Sequence, residues 1–164
     1  MKRIISMILT VVIAFAFCST AFASDLSKEA HINNTNANQD VIDLGDGITV
    51  VTTIISESDE VLGVTRSNPE RQKTKTFEHE IKVDGIKAAV LTTTVTGIYS
   101  QVAGDAYITS IKGTFTGKQA GRFFYNPDIS GDTAKLFVFY DAIYRKTFIY
   151  KIYTNGNIQL QRVV

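Results

Sequence analysis

Phe77-Glu78-His79-Glu80-Ile81-Lys82-Val83-Asp84-Gly85-Ile86-Lys87-Ala88-Ala89-Val90 is the stretch that decides the fold. Apolar residues alternate with charged ones up to Asp84-Gly85, a pair preferred in two-residue type I′ hairpin turns because both central residues take positive φ. That turn sets Val83 opposite Ile86, Ile81 opposite Ala88 and His79 opposite Val90. Phe77, His79, Ile81, Val83, Ile86, Ala88 and Val90 then share one face, and Glu78, Glu80, Lys82 and Lys87 share the other. The register implied by the turn agrees with the face implied by hydrophobicity, and a one-residue slip would destroy that agreement. The expectation is a long hairpin with one buried and one wet face.

A second hairpin closes the chain. Thr133 to Asp141 leads into Ile143 to Tyr153, then a turn near Asn155-Gly156, then Asn157 to Val163. A two-residue Asn-Gly turn would mix the faces. A three-residue loop, Thr154-Asn155-Gly156, with Gly156 in the left-handed conformation of a bulge, puts Phe148, Tyr150, Ile152, Ile158 and Leu160 on one face. Lys151, Gln159 and Gln161 take the other, and Tyr153 falls with Lys151 on this polar side.

Between and before these hairpins the signals are strand-like. Ile48 to Ser56 is β-branched at most positions, which favours a strand. Val41 to Leu44 reads as a short strand before the turn at Gly45-Asp46-Gly47. Glu57 to Glu70 reads as a loop with at most a brief strand. The return strand after Gly85 continues to Gly97, with a change of apolar face near Val90-Leu91 that predicts a bulge or a change of sheet. Ala106 to Thr116 and Arg122 to Tyr125 are further strands, and Asn126 to Asp132 reads as a turn. Many short strands, no long helical period and only two prolines argue for an antiparallel β-sandwich, with a small β-barrel as the alternative.

The N-terminus bounds where the protein works. Lys2 and Arg3 precede the uncharged run Ile4 to Phe17, and Ala21-Phe22-Ala23 fits the small-x-small cleavage pattern. Residues 1–23 therefore read as a secretory signal peptide cut before Ser24. The chain's single cysteine, Cys18, leaves with it, and bulky Phe17 argues against a lipid attachment site there. Residues 24–40 read as a flexible, Asn-rich leader carrying His31, and 41–164 as one domain. Removing Lys2 and Arg3 takes the formal charge from +1 to −1. No basic stripe with interleaved aromatics marks a nucleic-acid partner, and no second apolar run spans a membrane. The protein is expected to be secreted, with a periplasmic or membrane-associated life as the alternative.

Asp46 to Ile54, Thr65-Arg66-Ser67, Lys73 to Thr76, Thr94-Val95-Thr96-Gly97-Ile98-Tyr99, Ala106 to Ser110 and Tyr153-Thr154-Asn155-Gly156-Asn157-Ile158 follow one another along the chain. This layout resembles a group of small secreted β-rich proteins of Gram-positive bacteria with no established function. The resemblance covers most of Asp46 to Leu160, and its motifs are turns and Thr-rich strands. Members often carry a tryptophan before the Val-Thr-Gly stretch, and this chain has none. The resemblance implies a secreted β-rich domain and supplies no catalytic residue.

The chemistry-bearing residues are few. Two histidines, no cysteine after cleavage and no Gly-x-Ser-x-Gly leave no standard hydrolase constellation. Alternation turns Glu78 and Glu80 away from His79, which reads as a histidine in or at the edge of the core. Asn126, Asp128, Ser130 and Asp132 place side-chain oxygens at alternate positions around Gly131, the opening of a calcium loop. Phe137 stands where the closing carboxylate belongs, and an ordinary turn uses the same residue types. All seven tyrosines lie from Tyr99 onward. Tyr153 with Lys151 forms a candidate binding surface for a sugar ring or a partner protein. The reading that follows is a secreted, non-enzymatic binding module for a protein or glycan, acting as a monomer or an edge-paired dimer. The alternatives are a secreted antibacterial or toxin-like factor, and a glycan-active enzyme using a carboxylate pair.

Overall fold

The structure, a computed structural model, describes residues 32–36, 39–45, 47–63 and 69–164. The stretch read as a signal peptide, with Cys18, and also His31 and Asp46 lie outside the described residues. Two antiparallel sheets face each other. The larger runs in chain order: β1 (Ile32–Asn36), β2 (Gln39–Asp43), β3 (Ile48–Gly63), β4 (Glu70–Val83), β5 (Ile86–Ser100) and β6 (Asp105–Thr116). A 3₁₀ turn at Ala120–Arg122 leads to the smaller sheet, β7 (Phe123–Ser130), β8 (Thr133–Tyr140), β9 (Ile143–Ile152) and β10 (Ile158–Val163). Neither sheet closes on itself, so the sandwich is observed and the barrel is not. Among the described residues no helix is long and apolar enough to cross a membrane.

Both hairpins form where turn chemistry puts them. Asp84 and Gly85 have φ of 51° and 76°, and Val83 pairs with Ile86. Two pairs further the register departs from expectation. Ala88 is an extra residue in β5, so Ile81 faces Ala89 and His79 faces Leu91. This bulge moves Ala89, Leu91, Thr93 and Val95 onto the inner face beside Phe77, His79 and Ile81. Val83 and Ile86, assigned to the buried face, stand 42% and 74% exposed at the hairpin tip. The outer face is polar as expected, with Glu80 between Lys82 (3.2 Å) and Lys87 (2.6 Å). In the second hairpin Ile158 pairs with Ile152 and Leu160 with Tyr150. The loop is the three-residue one, with Gly156 at φ 80° and Tyr153 N–H donating to the Asn157 carbonyl (2.9 Å).

Three stretches are more extended than their composition suggests. Glu57 to Gly63, read as loop, belongs to β3. Its acidic residues lie across from cations of β4: Glu57 opposite Lys75 and Asp59 opposite Lys73. Opposite charges directly across a ladder stabilise the pairing. Ile32–Asn36 and Gln39–Asp43 take in part of the stretch read as leader, and a backbone ladder joins them to β3. Asn126 to Ser130, read as a turn, is the second half of β7, paired with Thr133 to Phe137 across a tight Gly131-Asp132 turn. Pro127 is tolerated because β7 is an edge strand.

The core fills the space between the sheets with Ile42, Val50, Phe77, Ile81, Leu91 and Val95 from one side and Leu136, Val138, Phe148, Tyr150, Ile152 and Ile158 from the other. The sheets approach closely where side chains vanish. Gly97 lies against the Ile152 side chain, and Gly156 lies on the ring of Tyr99. A Cβ at Gly156 would overlap that ring, and its positive φ already disfavours a side chain. Gly156→Ala is therefore expected to destabilise the protein by roughly 1–3 kcal/mol. Urea unfolding of the two proteins checks this, and an unchanged midpoint would contradict the close approach.

Candidate functional site

Two features of the interior carry chemistry, a buried polar bridge and an apolar cavity beside it. The bridge starts from alternation in β4, which aims His79 inward between Phe77 and Ile81. Thr52 on β3 sits directly across from it. His79 Nδ1 meets Thr52 Oγ1 at 2.9 Å, and Nε2 meets the Tyr150 hydroxyl, from the other sheet, at 2.7 Å. Phe148 (4.8 Å between ring centroids) and Phe77 (6.1 Å) pack on the imidazole. Burial pushes the His79 pKa down to about 3, so the ring is neutral at physiological pH. A neutral imidazole donates from one nitrogen and accepts at the other. We assign the more acidic phenol as donor to Nε2, which leaves Nδ1–H to donate to Thr52. Burial likewise raises the Tyr150 pKa, keeping the hydroxyl protonated. Thr93 Oγ1 is buried near this hydroxyl, close enough to favour its ionised form slightly, yet makes no hydrogen bond among the described residues.

Next to the bridge the two sheets part. A cavity of about 520 Å³ opens at the Asp84-Gly85 end of the sandwich, within the size range of small-molecule sites. Its floor is apolar and buried: Val50 and Phe148 are each 1% exposed, and Val138 is 2% exposed. Ile48 and Ile81 extend the walls, and exposed Val83 and Ile86 stand at the rim with Gln119, Tyr140, Arg145 and Lys146. Phe148 belongs to both features, since it touches the imidazole and lines the cavity.

The sequence-derived candidates lie elsewhere. Asn126, Asp128 and Ser130 alternate along the exposed edge strand β7, with Asp132 in the turn after it. Extended backbone carries successive same-face side chains about 7 Å apart, so these residues run along a line instead of wrapping one point. Asp132 is engaged by the Lys151 amine (3.1 Å) and the Thr133 hydroxyl (2.8 Å), and these hydrogen bonds lower its pKa, that from Thr133 most. Among the described residues no cluster of three or more His, Cys, Asp or Glu has metal-binding geometry. Lys151 and Tyr153 do come together, the amine 5.7 Å from the ring centroid, beside an open depression shared with Asp105 and Asp132. At the far end of the inner face, Glu57 and Asp59 approach a common cation, Lys73 (2.5 and 3.9 Å). The Lys73 hydrogen bond is the main cause of the lowered Glu57 pKa. At Asp59 partial burial raises the pKa, and hydrogen bonds from Tyr99 and Arg71 outweigh it. The cavity itself is not legible in the sequence, because its lining comes from six strands and three connecting segments. Its one local signal is the apolar hairpin tip Val83/Ile86, which alternation places on the buried face.

No protein-family model, curated protein or solved structure matches this chain.

The buried imidazole sets a pH dependence. Its folded pKa lies below the unfolded value, so its contribution to stability is complete above about pH 6.5 and is lost as pH falls toward about 3. Each pH unit inside that window removes about 1.4 kcal/mol. The paired carboxylates act only lower down, near their ordinary range. Unfolding free energy is expected to drop by roughly 2 kcal/mol between pH 7 and pH 5, measured by urea denaturation. A flat profile would show that His79 is not held neutral.

Proposed function

We propose that this chain is an exported, non-enzymatic binding module whose ligand enters the cavity between the sheets. The observation that carries the reading is the combination of a buried apolar floor with an exposed rim. Val50, Val138 and Phe148 form the floor, and Val83 and Ile86 stand open to solvent above it. A filled core at this end would bury the hairpin tip. Here about 520 Å³ is left instead, and unfilled apolar space of that size destabilises a fold unless something occupies it. The polar groups at the rim fit the usual plan of such sites, in which apolar walls supply affinity and a few polar groups set orientation. Among the described lining residues Asp84 is the only carboxylate, and there is no histidine or cysteine. This composition favours binding over acid–base chemistry at the site. Export rests on Met1 to Ala23, and a ligand met outside the cell follows from it.

A neutral apolar dye, N-phenyl-1-naphthylamine, tests the site without adding charge. Its fluorescence is expected to rise on binding to the folded protein. Val83→Trp, which adds bulk at an exposed rim position, is expected to weaken binding about tenfold, equivalent to about 1.4 kcal/mol. Absence of binding, or equal binding by a cooperatively folded Val83→Trp variant, would remove the cavity as the site.

A further inference from the structure

The rim carries a second regularity, and it identifies the class of ligand. Two β-bulges flank the cavity mouth on facing sheets. Ala88 is the extra residue in β5, between the pairs Ile81–Ala89 and Lys82–Lys87. Arg145 is the extra residue in β9, between the pairs Val138–Lys146 and Phe139–Tyr144. A bulge breaks strict alternation and re-aims the side chains beside it. Here it brings two consecutive residues, Arg145 and Lys146, to the lining of one cavity. Regular pairing would have sent one of them to the opposite face.

Their charges are only partly offset, by the Asp141 carboxylate, which feels Arg145 as well as Arg122. Among the described residues neither Arg145 nor Lys146 forms an ion pair, whereas the neighbouring Arg122 is held by Asp141 and Lys87 by Glu80 (2.6 Å). Arg145 lies 6.0 Å from the Tyr140 ring centroid, on a residue that also lines the mouth. Among the described lining residues Asp84, in the hairpin turn, is the only carboxylate. The mouth is therefore cationic above an apolar well.

From this geometry we propose that the ligand is a single-chain anionic amphiphile. Its apolar chain lies against Val50, Val138 and Phe148, and its head group is paired with Arg145 and Lys146. The inference rests on the cavity reading and adds the head-group charge to it. An anionic head set at the mouth keeps its hydration on the outer side, so the pair forms without full desolvation of either partner.

Calorimetric titration of the intact protein with decanoate, decanol and decyltrimethylammonium, each below its micelle-forming concentration, separates the two claims. Decanoate is expected to bind about tenfold tighter than decanol, with decyltrimethylammonium weakest. The double variant Arg145→Gln/Lys146→Gln is expected to erase the advantage of decanoate over decanol while decanol still binds. Equal binding of all three would overturn the head-group assignment and leave the cavity as an apolar site. Binding of none would overturn both. Binding to phosphatidylglycerol vesicles without binding of monomeric decanoate would also overturn the proposal, in favour of a membrane surface.

Discussion

The hydrogen bond between His79 and Tyr150 is the constraint to which the rest of the sandwich is fitted. It is a polar contact that crosses the middle of a largely apolar interior. A buried imidazole left without partners would cost about 1–3 kcal/mol for each unsatisfied nitrogen. Thr52 on the same sheet and Tyr150 on the other satisfy both nitrogens at once. The arrangement tolerates little sliding of one sheet over the other, because a shift of one residue would put Ile149 or Lys151 where the hydroxyl must be. Apolar packing alone is less demanding, since cores accept many arrangements of similar volume. The bridge thus fixes the relative placement of β4 and β9, and the other features follow from that placement.

The two ends of the sandwich differ as a result. At one end the sheets close tightly, with Gly156 seated on Tyr99 and Gly97 against Ile152. The Tyr99 hydroxyl reaches on to donate to Asp59 (2.9 Å), which ties the closed end to the ladder of Glu57, Lys73, Lys75 and Arg71. At the other end the bulges at Ala88 and Arg145 interrupt the ladders, and the Asp84-Gly85 tip is exposed. Phe148 carries the connection between bridge and cavity, with one ring packed on the imidazole and lining the ligand space. A site built between two sheets held in fixed register is preorganised, so binding spends little free energy on ordering the protein.

The parts of this fold that were legible in the sequence are those set by local chemistry. Asp84-Gly85 specifies a type I′ turn, and the choice of Gly156 as the left-handed residue of a three-residue loop followed from which faces would otherwise mix. The inward direction of His79 followed from alternation. What was missed depends on partners far away in the chain. Glu57 and Asp59 look like loop residues until Lys75 and Lys73 stand opposite them. Asn126 to Ser130 looks like a turn until β8 pairs with it. The bulge at Ala88 left a trace as a change of apolar face, placed two residues late. The bulge at Arg145 left none, because its consequence, two adjacent cations at one cavity, exists only once β8 and β9 are paired beside the first hairpin. Tyr150 was assigned to the correct face, but nothing local named His79 as its partner.

The most direct test of the inter-sheet bridge is the ¹⁵N NMR spectrum of the His79 imidazole, recorded from pH 8 to pH 5. A ring held neutral between Thr52 and Tyr150 keeps one protonated nitrogen, Nδ1, and its shifts stay constant across the range while the protein remains folded. A ring whose two nitrogens converge to the imidazolium shift with a midpoint near the ordinary histidine value of about 6.5 would contradict the bridge, and with it the register on which the cavity depends.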